Sequence, residues 1–136
     1  MDIRAYDDIL DGLKEFNKNN DTNYGNVVVK YPTTNTTYPH TVFTEIRNVA
    51  NRYYNTRYDK ISSIGYRVDI YAKTKGKVDK QDIARNLMKD IDDFLTYYFG
   101  LTQISYNVEQ QENENSIYHI ILTYSANFNE NRRKII

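Results

Sequence analysis

The chain has 136 residues and a mass of 16.1 kDa, the size of one ordinary domain. Eighteen Lys and Arg balance eighteen Asp and Glu, cysteine and tryptophan are absent, and 14 tyrosines stand beside only five glycines. Without cysteine there is no disulfide framework, zinc ribbon, iron–sulfur site or thiol nucleophile, and zero net charge argues against a polybasic nucleic-acid coat.

The opening stretch, residues 2 to about 18, reads as an amphipathic helix. Ile3, Tyr6, Leu10, Leu13 and Phe16 recur at helical spacing, with Asp7, Asp8, Asp11 and Glu15 on the other side. The acids spread through this stretch do not fit a signal peptide, and nothing in the chain approaches the roughly 18 apolar residues of a membrane span. A polar loop ending at Gly25 follows. The β-branched run Asn26–Tyr31, closed by Pro32, reads as a strand, and Pro39 opens a second one, HTVFTEIRN. Residues 48–60, rich in Tyr and Arg, read as a long hairpin or arm.

Ser63–Lys73 carries the clearest strand pattern. Ile64, Tyr66, Val68, Ile70 and Ala72 fall on one face, and Gly65, Arg67, Asp69 and Tyr71 on the other. After a turn at Thr74–Lys77, Asp79 reads as the N-cap of a second helix, with Asp82 in a capping-box position. Ile83, Leu87, Ile91, Phe94, Leu95 and Tyr98 form its apolar stripe, and Gly100 is its left-handed stop. Two strands follow, one with Ile104, Tyr106 and Val108 on a face, the other with Tyr118, Ile120, Leu122, Tyr124 and Ala126. Glu109–Asn115 reads as the polar hairpin loop between them, and NRRKII, residues 131–136, as a basic tail with an apolar tip.

The predicted order is α-β-β-β-α-β-β in a single domain spanning 1–136. Strands that alternate and helices that carry one stripe each need a single covered face. The expectation is an α+β fold, an antiparallel or mixed sheet of about five strands with two helices packed on one face.

No constellation for catalysis, cofactor or metal binding is legible. His40 and His119 have no ligand spacing and no nucleophile beside them, so they read as structural, and no enzymatic activity is expected. The aspartates at 7, 8 and 11 and at 90, 92 and 93 read as solvated helix faces. Residues 19–30 fail as a calcium loop because Tyr24 and Lys30 stand where Gly and Glu are required. Five scattered glycines write no phosphate loop.

Charge is unevenly placed. Residues 1–25 hold three basic groups against six acids, whereas residues 26–60 hold five basic groups against two acids. Arg47, Arg52 and Arg57 interleave with Tyr53, Tyr54 and Tyr58, a mixture that fits a protein interface. The same mixture fits stacking on single-stranded nucleic acid, or an ordinary exposed loop. The candidate partner-binding residues are these six with Arg132, Arg133, Lys134, Ile135 and Ile136 of the tail. Opposite local charges suit head-to-tail contact between identical copies.

With its predicted order, the run YPHTVFTEIRN (38–48) and the strand GYRVDIYAK (65–73) resemble the tail terminator, or tail completion, proteins of long-tailed bacteriophages and phage-tail-like particles. DIARNLMKDIDDFL (82–95), GLTQ (100–103) and IYHIILTYSA (117–126) extend the resemblance over nearly the whole chain. The resemblance implies a structural virion protein forming a ring, usually a hexamer, at the head-proximal end of the tail. Such a ring ends polymerisation of the tail tube, and in contractile tails also of the sheath, and gives the head connector a docking surface. It implies assembly in the host bacterial cytoplasm, the tube, connector and sheath proteins as partners, no membrane, and nucleic acid only as cargo passing through the lumen. It carries no cofactor and no catalytic residues. Two other readings stay open: a head-completion or connector ring, and a small nucleic-acid-binding module using 47–58.

Overall fold

The computed structural model describes residues 4–19, 26–28, 39–50, 61–74, 76–110, 117–129 and 134–135. The elements run α1 (Arg4–Asn19), β1 (Asn26–Val28), β2 (His40–Ala50), β3 (Ile61–Ala72), α2 (Lys80–Asp93), a π-helical turn (Phe94–Tyr98), β4 (Thr102–Gln110), β5 (Tyr118–Asn129) and β6 (Lys134–Ile135). Two helices and an antiparallel sheet, β2-β3-β5-β4, make an α+β domain. Two short strands extend the sheet. β1 adds in parallel beside His40–Val42, and β6 adds antiparallel to the end of β5.

The alternation read in the sequence decides which side of the sheet is dry. Ile64, Tyr66, Val68, Ile70 and Ala72 of β3 are fully buried, as are Ile120, Leu122 and Tyr124 of β5. Into the same core cluster α1 sends Ile9, Leu10 and Leu13, and α2 sends Ala84, Leu87 and Ile91. Each large apolar side chain removed from water there is worth about 1.5–3 kcal/mol. Tyr6 fastens α1 to β2. Its ring stacks on Phe43 with centroids 5.3 Å apart, and its hydroxyl donates to the Phe43 carbonyl at 2.6 Å.

Several local expectations are corrected. Asn48–Ala50 belongs to β2 and not to an arm, and residues 51–60 lie outside the described residues. Asp79 does hold the N-cap position, but its side chain makes no cap bond. The amide of Lys80 donates instead to the Thr74 hydroxyl at 3.2 Å, so a threonine six residues upstream satisfies an orphan donor of the helix start. Glu109 and Gln110 extend β4 beyond the expected loop boundary.

Tyr98 leaves the core stripe. The helix widens at Phe94–Tyr98, which changes the rotation per residue, so Leu95 stays buried while Tyr98 swings out and stacks on Phe94. Gly100 then takes a φ of 76°, the left-handed stop expected of it, and the amides of Gly100 and Leu101 close on the carbonyls of Thr96 and Leu95.

Candidate interaction surface

Among the described residues, the exposed apolar side chains include a group on β2 and a group on β4, far apart in the sheet order. On β2, Ile46 and Val49 are 54% and 57% exposed, with exposed Arg47 between them. On β4, Ile104 is 59% exposed, with Tyr106 and Val108 also open to solvent. A solitary exposed apolar residue is ordinary, but grouped ones, as on β2 and β4, are a feature of partner-binding surfaces.

The β2 group is shaped by a bulge. Pairing with β3 jumps from Glu45 to Arg47, and Gly65 is the residue opposite Arg47. A side chain at Gly65 would meet the Cβ of Arg47 and the Cγ1 of Ile46 at 3.3 Å, so glycine is what lets this bulge lie against β3.

Alternation puts Ile104, Tyr106 and Val108 of β4 on one face. Tyr106 and Val108 pair with buried Leu122 and Ile120, so they stand on the helix side, but at the open end of the sheet. A register shift between Gln103 and Ser105 interrupts the alternation at Ile104. Between α2 and β4 runs a groove of about 310 Å³ lined by Met88, Lys89, Asp92, Gln103 and Tyr106. Tyr97, on the π-helical turn that leads into β4, is 87% exposed. Sequence reasoning missed this second surface because periodicity assigns a face to a residue without saying how far the covering helix reaches.

Of the residues expected to bind a partner, Arg47 lies on the β2 surface just described. Lys134 and Ile135 form β6, their backbone pairing with Asn129 and Phe128 of the same chain. Arg52, Tyr53, Tyr54, Arg57, Tyr58, Arg132, Arg133 and Ile136 lie outside the described residues.

The sheet also holds a charged cluster that the sequence reading passed over. By alternation His119 falls on the polar face of β5, opposite to that of Ile120 and Leu122. It is buried, with Nε2 2.9 Å from Oδ1 of fully buried Asp69, and its ring stacked on Tyr71 at 4.0 Å between centroids. An ionised carboxylate only accepts, so this geometry places a proton on Nε2. Arg67 grips Asp69 through Nε and Nη2 at 2.9–3.1 Å. On the other ring edge, Nδ1 is 3.3 Å from Oε2 of Glu109, close enough to feel its charge but misaligned for a hydrogen bond. Burial opposes ionisation of Asp69, yet the hydrogen bonds and charges of His119 and Arg67 outweigh it and hold the carboxyl below the usual aspartate range. A buried dyad with stacked and hydrogen-bonded walls pins β3 to β5.

Among the described residues, no three metal-ligating side chains gather, and no helix is long and apolar enough to cross a membrane. A scan against protein-family models and a search of curated proteins return no match to this chain.

Proposed function

We propose that the protein is a structural subunit of a phage tail, or of a phage-tail-like particle, that assembles with copies of itself into a ring, as a hexamer, at the head-proximal end of the tail. The ring ends polymerisation of the tube, and of the sheath where there is one, and presents the docking surface for the head connector. Virion location and tube, sheath and connector partners belong to the same reading. It rests on the resemblance in the five quoted segments, now placed in β2, β3, α2, the step into β4, and β5.

The observation that carries it is the pair of exposed apolar groups, Ile46 with Val49 and Ile104 with Tyr106 and Val108, on two different strands of one sheet. A subunit that meets one neighbour on each side needs two such surfaces. The test is negative-stain imaging of purified, open-ended tail tubes incubated with the protein. A collar at one end and tubes that stop growing are expected. Tubes that elongate unchanged with no added density contradict the reading, and density on the connector face of the head alone moves the ring to the connector.

A further inference from the structure

We propose that His119 and Glu109 form a binding site for a divalent transition-metal ion of the zinc type, held between Nδ1 of the imidazole and Oε2 of the carboxylate. The site is separate from the apolar surfaces above and does not depend on self-assembly.

Strand register builds it. Glu109 of β4 stands directly opposite His119 of β5, so both side chains leave the sheet on the face away from the helices, and Nδ1 lies 3.3 Å from Oε2. At its other edge the ring gives the Nε2 proton to Asp69, which Arg67 holds through Nε and Nη2. Asp69 is on the wrong nitrogen to be a ligand, so two donors converge and not three. Its work is to fix the tautomer. With the proton on Nε2, the lone pair sits on Nδ1, the nitrogen that faces Glu109. An imidazole whose second nitrogen donates to a carboxylate is oriented, and made more basic, for metal binding. Tyr71, stacked on the ring at 4.0 Å between centroids, keeps it from turning.

Nδ1 carries the inference. The His119 side chain is only 4% exposed, and this buried nitrogen has no hydrogen-bond partner among the described residues. It has lost water without replacing it, and its lone pair faces a carboxylate, which is repulsive. A positive ion between the two donors removes both costs. A proton is the poorer fit, because Oε2 does not lie where Nδ1 could donate to it. A metal instead needs the donors bent around it. With bonds of about 2.0–2.1 Å to nitrogen and to oxygen at a tetrahedral angle, the two donors stand about 3.3 Å apart. The observed separation is the same.

Donor chemistry narrows the ion. One imidazole nitrogen with one carboxylate oxygen suits zinc and its first-row neighbours, whereas calcium and magnesium take oxygen ligands. The remaining positions go to water, which enters from the side of Glu109, whose side chain is 56% exposed. Such an ion is exchangeable and held more weakly than in a closed four-donor site.

The test is calorimetric titration of the 136-residue chain with zinc chloride at neutral pH, in wild type, Glu109→Gln and His40→Gln, with circular dichroism to verify folding. Wild type and His40→Gln are expected to take up one zinc ion with equal affinity. Glu109→Gln, altered at a half-exposed side chain, is expected to bind about tenfold more weakly or less. Ring-nitrogen NMR gives an independent reading: zinc is expected to shift the Nδ1 signal of His119 and to leave the Nε2 proton in place. No uptake, equal affinity in wild type and Glu109→Gln, or loss confined to His40→Gln overturns the site. So does a His119 ring that zinc leaves unmoved. A proton already on Nδ1 in the metal-free protein at neutral pH overturns the metal in favour of a proton bridge.

Discussion

Asp69 and His119 meet at 2.9 Å from positions 50 residues apart, and neither reaches solvent. The contact follows from register. His119 pairs directly with Tyr71, which puts its ring on the Tyr71 ring, and Asp69 is the diagonal neighbour two residues back on β3. Asp69→Ala leaves a buried imidazole and a guanidinium without their acceptor. A loss of about 3 kcal/mol in urea unfolding is expected, the lower end for a broken buried pair because Arg67 stays partly solvated. A change within error of zero contradicts a structural role for the cluster.

Acid weakens the same clamp in a defined direction. Because hydrogen bonds and charge hold the folded-state carboxyl of Asp69 below its ordinary value of 3.8, its contribution is complete above that value and disappears as pH falls through the lowered one. Urea midpoints of wild type and Asp69→Asn, followed from neutral pH down through the carboxylate range, are expected to converge only at the acid end. Parallel curves at every pH contradict this.

How much of this was legible in the sequence depended on whether the relevant signal was local. The stripe of α1 and the alternation of β3 and β5 are written in short-range spacing: Leu10 and Leu13, the five apolar residues of β3, and Tyr118, Ile120, Leu122 and Tyr124 are buried as read, and Tyr6 and Ala126 partly so, while Ile3 and the side chain of Phe16 lie outside the described residues. The Asp69–His119 contact depends on which strands pair and in what register, which no local pattern states. The sequence placed both residues on the polar face, and nothing in it said that this face is dry at their level. Tyr98 was misassigned for a different reason: the stripe assumed an unbroken α-helical step, and the π-helical widening changes that step. At the candidate surface, Arg47 was legible from its Arg/Tyr context, whereas Ile104, Tyr106 and Val108 were legible only as one face, because alternation carries no record of where a sheet ends.

Tyr124 ties β5 to α2. Its hydroxyl donates to Oδ1 of Asp92 at 2.6 Å from a fully buried ring. Burial first, then the hydrogen bond to Asp92 and the charges of Asp92 and Asp93, raise the phenol above its ordinary range. Tyr124→Phe is expected to cost about 1.5–3 kcal/mol, the worth of a hydrogen bond to a charged acceptor. In the wild type that contribution is complete below the ordinary tyrosine value of 10.0 and is lost as pH rises beyond it toward the raised one. An ultraviolet titration checks this, with one tyrosine fewer ionising in Tyr124→Phe during alkaline unfolding and no difference before it.

Gly12 admits Phe99 against α1. A Cβ there would stand 2.8 Å from the end of the Phe99 ring, which must move to accept it. Gly to Ala inside a helix ordinarily gains about 1 kcal/mol. Gly12→Ala is expected to fall short of that gain in the wild type and to recover it when Phe99 is also Ala. A double-mutant cycle reads the coupling, and additive changes contradict the close approach.

The most direct measurement of the central claim is native mass spectrometry of the wild-type protein, alone across a concentration series and recovered from tail tubes. Discrete closed species at a fixed multiple of 16.1 kDa, a hexamer on tubes, are the expected result. A monomer at every concentration and no protein retained on tubes would contradict it.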